Sequence, residues 1–297
     1  MLASHLDRWL WRIPRRLPAH PQTRRVVVPG AQLRLRDSGG PGPVLVFLCD
    51  PPVSVEAYDA LIAQFAPARR VLVLELPGFG FSRVDSAAAL EFAGAVAAVE
   101  AALLALDTGP LVLCAPCICA FVAGAVAARE QVPLAGVVLM QAPDAAGMQA
   151  WTERMDPRGL LRRPLLGQAL VRANARRLAR FWLRYASAPD ADIDDLREAC
   201  LTALRRGGGY PLATMLQDWG QGVVDRPLTP PAIAVWGLQD RSHQCTQTLC
   251  TRAHVPSGQL LEMEHCGHFP ELEDPAGFAA VIDDFLNACL PLEAAAD

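Results

Sequence analysis

Three segments of the chain set reactive side chains beside the ends of strand-like runs. Leu113–Ala120 reads LCAPCICA and carries Cys114, Cys117 and Cys119 between a strand candidate, Leu111–Cys114, and a helical stretch, Ile118–Arg129. Val235–Asp240 reads VWGLQD and ends a later apolar run on a carboxylate, Asp240. Glu264–Pro270 reads EHCGHFP and places His268 ahead of Glu273-Asp274-Pro275 and a last helical pattern. A thiol at a helix N-terminus beside an imidazole is easily ionised, and thiolate is the reactive form. Thiol, carboxylate and imidazole are the group types of nucleophilic catalysis.

The elements around these segments alternate. Val26–Val28 and Leu33–Arg36 flank Pro29-Gly30 and predict a hairpin. Val44–Leu48, Val71–Leu74, Leu111–Cys114 and Leu134–Met140 predict buried strands, with helical patterns at Val55–Phe65, Ala87–Leu106 and Ile118–Arg129 between them. Such alternation implies a parallel sheet covered on both faces. The rhythm breaks near Ala145, and residues 145–225 are rich in Arg, Leu and Ala with no strand signal. It resumes with strands at Ala232–Trp236 and Gln259–Met263 and a helix over Pro275–Cys289. The division predicted is a basic amphipathic arm over 1–25, an α/β core over 26–144 and 226–297, and a helical cap over 145–225. An insertion of that kind usually sits over the carboxyl ends of the strands, where ligands bind.

The order of the three segments resembles that of the α/β-hydrolase superfamily, whose chain order is nucleophile, acid, base. Glu75–Ser82, ELPGFGFS, is similar to the family's D-x-x-G-x-G-x-S stretch, and PELEDP after His268 adds to the likeness. The resemblance covers nearly the whole chain beyond residue 25. It implies the α/β-hydrolase fold with Cys117 at the nucleophile position, His268 as general base and then acid, and Asp240 holding the imidazole tautomer. It also implies an oxyanion donor in the Ile118 amide, aided by the helix dipole. The implied reaction passes through an acyl-thioester intermediate on an ester or thioester, ending in hydrolysis or acyl transfer. Thiol-for-thiol exchange is nearly thermoneutral, which favours a thioester.

The sequence departs from the family pattern at two places. Where the family's sharp turn reads G-x-S-x-G, this chain has Ala115-Pro116-Cys117-Ile118-Cys119, and Cys119 is larger than the usual small residue. Where the family has His-Gly and a backbone donor, this chain has Cys49-Asp50-Pro51-Pro52, and Pro51 has no N–H. Loss of one oxyanion donor costs roughly 10²–10³ in rate. Asp50 also sets a carboxylate near a developing negative charge. It either orders its loop or serves as a further acid/base with Cys117 and His268, which leaves elimination, cyclisation or carbon–carbon chemistry open on the same scaffold. A third reading is a binding protein with a dead site. Cys114-Ala115-Pro116-Cys117 also matches a redox C-x-P-C, but it follows four strand candidates rather than opening a short domain. His243 and His265 read as loop residues.

Composition narrows the partners. All 27 basic residues are Arg, and the net charge of −4 argues against nucleic acid. Residues 1–25 and 151–210 each carry +5, leaving the rest at −14. The Arg-rich cap could meet phosphopantetheine of coenzyme A or an acidic acyl carrier protein. In the arm, Leu2, Leu6, Trp9, Leu10 and Ile13 could share one face, packed on the body or meeting a membrane surface. Nine Cys, an odd number with no framework spacing, and Arg throughout the N-terminus point to a reduced, cytoplasmic chain, and the resemblance implies a small-molecule acyl substrate. No metal or organic cofactor is called for. The uncharged stretch Thr108–Ala128 is broken by Gly109-Pro110 and Pro116 and reads as a strand and helix rather than a membrane span.

Overall fold

Short runs rich in Val and Leu become the strands of one sheet. They are β1 (Thr23–Val28), β2 (Ala31–Asp37), β3 (Val44–Leu48), β4 (Arg70–Leu74), β5 (Arg83–Val84), β6 (Leu111–Pro116), β7 (Leu134–Met140), β8 (Ala232–Gly237) and β9 (Leu260–Met263). The computed structural model describes residues 2–12, 22–40, 42–219, 223–244 and 248–292. Spatial order is β1-β2-β4-β3-β6-β7-β8-β9, with β5 on β2. The β1–β2 hairpin and the β2–β4 pair are antiparallel, and every pair from β4 to β9 is parallel. The first strand starts at Thr23, inside the segment read as the arm. Ile13 and the rest of residues 13–21 lie outside the described residues.

The main helices are α1 (Leu2–Leu10), α2 (Asp59–Phe65), α3 (Phe92–Leu106), α4 (Cys119–Ala127), α5 (Ala145–Met155), α6 (Leu166–Ala186) and α7 (Asp194–Arg205), followed by a final helix, Pro275–Cys289. Every residue of β3 and β6 is buried, so their runs are apolar on both faces rather than alternating. On one side of β3 the Phe47 ring meets Tyr58, Phe65 and Phe278 at centroid separations of 6.4, 6.1 and 6.4 Å. That cluster joins α2 and the final helix to the sheet. Each such fully buried side chain contributes roughly 1.5–3 kcal/mol. No helix among the described residues is long and apolar enough to cross a membrane. Thr108–Ala128 instead supplies β6 and α4.

The helix expected over Val55–Phe65 opens with a 3₁₀ turn at Val55–Tyr58, β5 is an addition to the expected strands, and two larger differences from the sequence pattern follow. One helix is expected over Ala87–Leu106, but a 3₁₀ turn at Ala87–Leu90 ends at an extended Glu91, and α3 starts afresh at Phe92. The Phe92 amide donates to Asp218 Oδ2 at 2.6 Å instead of continuing the helix. Gly94 packs so closely on the Ala88 carbonyl that no side chain fits between them. The second difference is the orientation of α1. Its buried residues are Ala3, Ser4 and Asp7, while Leu2 and Trp9 are 72% and 58% exposed. Polar anchoring wins over the apolar stripe. Asp7 Oδ2 accepts from the Thr214 hydroxyl at 2.6 Å, and the Ser4 hydroxyl donates to Glu91 at 2.8 Å.

Buried charges fix the loop after β4. Glu75 is fully buried and accepts from the Phe81 amide at 2.7 Å, the Val55 amide at 3.3 Å and Arg34 Nη1 at 3.3 Å. Gly80 has φ +53°, and a side chain there would strike the Glu75 carboxyl. Removing Glu75 leaves the Arg34 guanidinium buried with Glu56 as its one acidic partner among the described residues. Glu75→Ala is therefore expected to lower unfolding free energy by about 3–5 kcal/mol in urea titration.

Glu271, in the short turn Pro270–Glu273, is the opposite case. It is fully buried, and beyond its own amide its carboxyl oxygens find no hydrogen-bond partner among the described residues. Burial pushes this carboxyl from 4.5 up to about 8. Between those values the folded chain keeps a proton that the unfolded chain has released, so the parent loses stability as pH rises through the window. Glu271→Gln carries no such proton. Its stability relative to the parent should grow as pH is raised from about 4.5 to about 8 and then level off, measured by denaturant unfolding across pH.

Candidate active site

The carboxyl ends of β3, β6, β7 and β8, with the loop after β9, bring the predicted residues together. Cys117 occupies the turn between β6 and α4 with φ +41°, a left-handed conformation that a non-glycine residue adopts only at a cost. Its amide donates to the Met140 carbonyl at 2.7 Å, pinning the turn to the end of β7. Ile118 follows as the N-cap of α4, with its residue facing the same cavity. Cys119 is accommodated by turning inward, where its thiol reaches the Cys49 carbonyl at 3.7 Å. Cys114 is wholly buried within β6, and burial holds its thiol well above its ordinary range. That environment suits core packing rather than a redox partner for Cys117.

His268 is held by its neighbours on every side. Its Nδ1 lies 2.6 Å from Asp240 Oδ2, and its Nε2 lies 3.2 Å from Asp50 Oδ2. The His268 amide donates to the Ala186 carbonyl at the end of α6 at 3.0 Å. Glu273 accepts from the Gly267, Phe269 and Ala188 amides at 2.8, 3.1 and 3.0 Å, tying the histidine loop to the chain after α6. Trp182 of α6 meets the imidazole edge-on at 4.9 Å.

Asp240 is clamped as firmly. The Ser242 amide and hydroxyl donate to its Oδ1 at 2.8 and 2.6 Å, and Gln141 Nε2 donates to Oδ2 at 2.9 Å. Gln141 also accepts from the Gly237 amide at 2.7 Å, so it bridges β7, β8 and the carboxylate. Sequence reasoning passes over Gln141. The available signal is its place, a polar residue directly after the apolar run of β7 at the carboxyl end of a parallel strand. His243, read as a loop residue, lies in the short turn Arg241–His243 after β8. It is buried and stacks on His268 at 5.5 Å and 14°. His265 is exposed and pairs with Asp274 at 2.7 Å, away from the cavity.

The charge state follows from these contacts. Burial opposes the charged imidazolium, but Asp240, Cys117 and Asp50 outweigh it and hold His268 protonated well above its usual range. Burial alone would raise Asp240, but the His268 charge and hydrogen bond keep it well below the ordinary carboxylate value. Burial lowers His243 to about 3, so it stays neutral beside them. Cys117 departs from the easily ionised thiol expected of its position. Burial pushes it up, Asp50 and Asp240 push the same way, and the pull of His268 does not compensate.

Donor atoms of Asp50, Cys117 and His268 all lie within 4.8 Å of one another. Above them opens a cavity of ≈ 120 Å³, with Pro51 and Ile118 at its base and Trp151, Leu178, Trp182 and Met215 among its walls. Its lining is mostly apolar, so it suits an acyl or other hydrocarbon group beside a small polar floor.

Comparison with known proteins agrees with this architecture. A curated relative from Xanthomonas campestris pv. campestris, a pimeloyl-[acyl-carrier protein] methyl ester esterase, is 27% identical over 275 residues, covering 84% of this chain and 97% of the relative. Epoxide hydrolase A from Mycobacterium thermoresistibile superposes with a TM-score of 0.75 at 16% identity, covering 92% of this chain and 100% of that one. A thermophilic esterase from Thermogutta terrifontis gives 0.62 at 21% identity, over 90% of this chain and 99% of that one. The last two likenesses establish the fold, an α/β-hydrolase sheet with flanking helices. The alpha/beta hydrolase family profile matches residues 26–281, most of the chain, and the chain belongs to that family.

Proposed function

We propose that the protein hydrolyses, or transfers, the acyl group of an ester or thioester through a covalent adduct on Cys117. The observation that carries this reading is the line Cys117–His268–Asp240 on a strained turn at the floor of an apolar cavity. Cys117 Sγ attacks the acyl carbon while His268 takes the thiol proton. Asp240 holds Nδ1 and compensates the imidazolium. The Ile118 amide and the α4 dipole face the developing oxyanion. His268 then returns the proton to the leaving alcohol or thiol, and water or another acceptor releases the acyl group.

The helices between β7 and β8 act in this reading as the acyl pocket on one face and a recognition surface on the other. Arg172, Arg176, Arg177 and Arg180 of α6 line an outward groove with Trp11, opposite the Leu178 and Trp182 side that meets the cavity. A cationic groove on the outer face of α6 supports an acidic acyl carrier protein as the bearer of the substrate, and the Xanthomonas relative is an esterase of a carrier-bound ester. A second reading draws on the Asp50–His268 contact at 3.2 Å, an acid/base pair that reaches the cavity through Asp50 and that a lyase or cyclase would use.

Mass spectrometry separates the two readings. With a short-chain p-nitrophenyl ester or acyl thioester, the parent should accumulate an acyl adduct on Cys117, and Cys117→Ala should lose turnover. His268→Ala should slow adduct formation by about 10²–10⁴. Full turnover in Cys117→Ala would remove the covalent reading and leave the Asp50–His268 pair as the remaining acid/base. For the carrier, Arg176→Glu with Arg177→Glu should raise KM for a carrier-borne ester by about tenfold and leave KM for the p-nitrophenyl ester unchanged.

A further inference from the structure

The floor of the cavity poses a charge problem that Cys117 chemistry must solve. The family's second oxyanion donor is a backbone N–H after β3, and here that place is Pro51, which has none. The residue before it, Asp50, is 3% exposed, lines the cavity with Cys117 and Ile118, and touches His268 Nε2. An ionised Asp50 would repel an oxyanion formed on the acyl carbon. A His268 that already carries a proton on Nε2 cannot accept another from Cys117.

One proton transfer removes both obstacles. We propose that Asp50 acts as a neutral carboxylic acid, donating its O–H to the developing oxyanion in place of the N–H that Pro51 lacks. The proposal rests on the Cys117 reading above. Moving the shared proton across the 3.2 Å contact, from Nε2 to Asp50 Oδ2, leaves the net charge of the site unchanged. It frees the Nε2 lone pair to act as base and turns Asp50 from an acceptor into a donor. The groups around Asp50 fit this. Burial pushes its carboxyl up, and Asp240 pushes the same way, against the attraction of His268. Glu271 lies on the same buried side as a second acid, and burial keeps Tyr58 and Tyr210 protonated nearby.

The steps balance. The Cys117 S–H proton passes to Nε2 as the sulfur–carbon bond forms, and the carbonyl electron pair moves onto oxygen, which meets the Asp50 O–H and the Ile118 N–H. Collapse of that intermediate breaks the bond to the leaving alcohol or thiol, which takes the proton from Nε2. In hydrolysis, water then adds to the acyl carbon and gives its proton to Nε2. The thiolate leaves and recovers that proton.

Asparagine and alanine at position 50 distinguish a donor from a base. Asn keeps an N–H donor but cannot accept or carry the proton, whereas Ala offers neither. The measurement is the single-turnover rate of Cys117 acylation by a p-nitrophenyl ester, read as the mass of the adduct and the release of nitrophenol. Asp50→Asn should stay within about tenfold of the parent, and Asp50→Ala should fall by about 10²–10³. Asp50→Leu, a non-donor, stands in for Asp50→Ala should the latter not fold by circular dichroism. Equal losses in Asn and Ala would overturn the donor role, because only a base is lost equally in both. An Ala variant as fast as the parent would overturn it as well. No Cys117 adduct in the parent would overturn the nucleophile reading and this assignment together, whereas an adduct with equal Asn and Ala rates overturns the assignment alone.

Discussion

A buried imidazole held between two carboxylates sets the terms for the rest of the site. His268 is fully enclosed, and an enclosed cation is tolerable only where opposite charge is in contact with it. Asp240 meets one ring nitrogen and Asp50 the other, so these contacts set the position and the charge of the ring. Each carboxylate needs its own support. Asp240 receives donors from Ser242 and Gln141, and Gln141 in turn holds the Gly237 amide at the end of β8. The loop bearing the imidazole needs support too, and Glu273 collects three backbone amides around it. Much of the polar structure at the carboxyl end of the sheet is thus a chain of supports leading to one ring.

The same arrangement explains why Cys117 differs from an isolated thiol at a helix N-terminus. A helix dipole and an imidazolium lower a thiol's pKa, but burial and two adjacent carboxylates raise it, and here the raising effects prevail. A resting neutral thiol is inert until a base is free to take its proton. Reactivity in such a site is therefore coupled to the proton between His268 and Asp50, and burial of Asp50, Cys117 and His268 limits solvent screening there.

Outside the site, buried polar contacts also override apolar patterning. The α1 stripe of Leu2, Leu6, Trp9 and Leu10 has a strong helical period, yet Asp7 and Ser4 reach Thr214 and Glu91 and turn the helix over. Thr214 lies between Leu212 and Met215, which line the cavity wall, so the anchored α1 braces that wall from behind. The outward face left by this choice combines Trp9 with Arg8 and Arg12, next to the arginines of α6. The Arg-rich character visible in composition becomes a surface only because these two helices lie side by side.

The sequence by itself determined the strands and their alternation with helices. Buried parallel strands need continuous apolar runs, and Val44–Leu48 and Leu134–Met140 are such runs bounded by turn residues. It also determined the order of Cys117, Asp240 and His268, because a thiol, a carboxylate and an imidazole after successive strands are local facts of the chain. The break at Glu91, the inversion of α1 and the roles of Gln141 and His243 were decided by tertiary structure alone. Each depends on a partner far along the chain, such as Asp218 for Phe92 or Thr214 for Asp7, and no local spacing encodes such a partner. The same holds for Asp50. Its residue type is visible in Cys49-Asp50-Pro51, but its contact with a histidine 218 positions away exists only once the sheet has aligned the ends of β3 and β9.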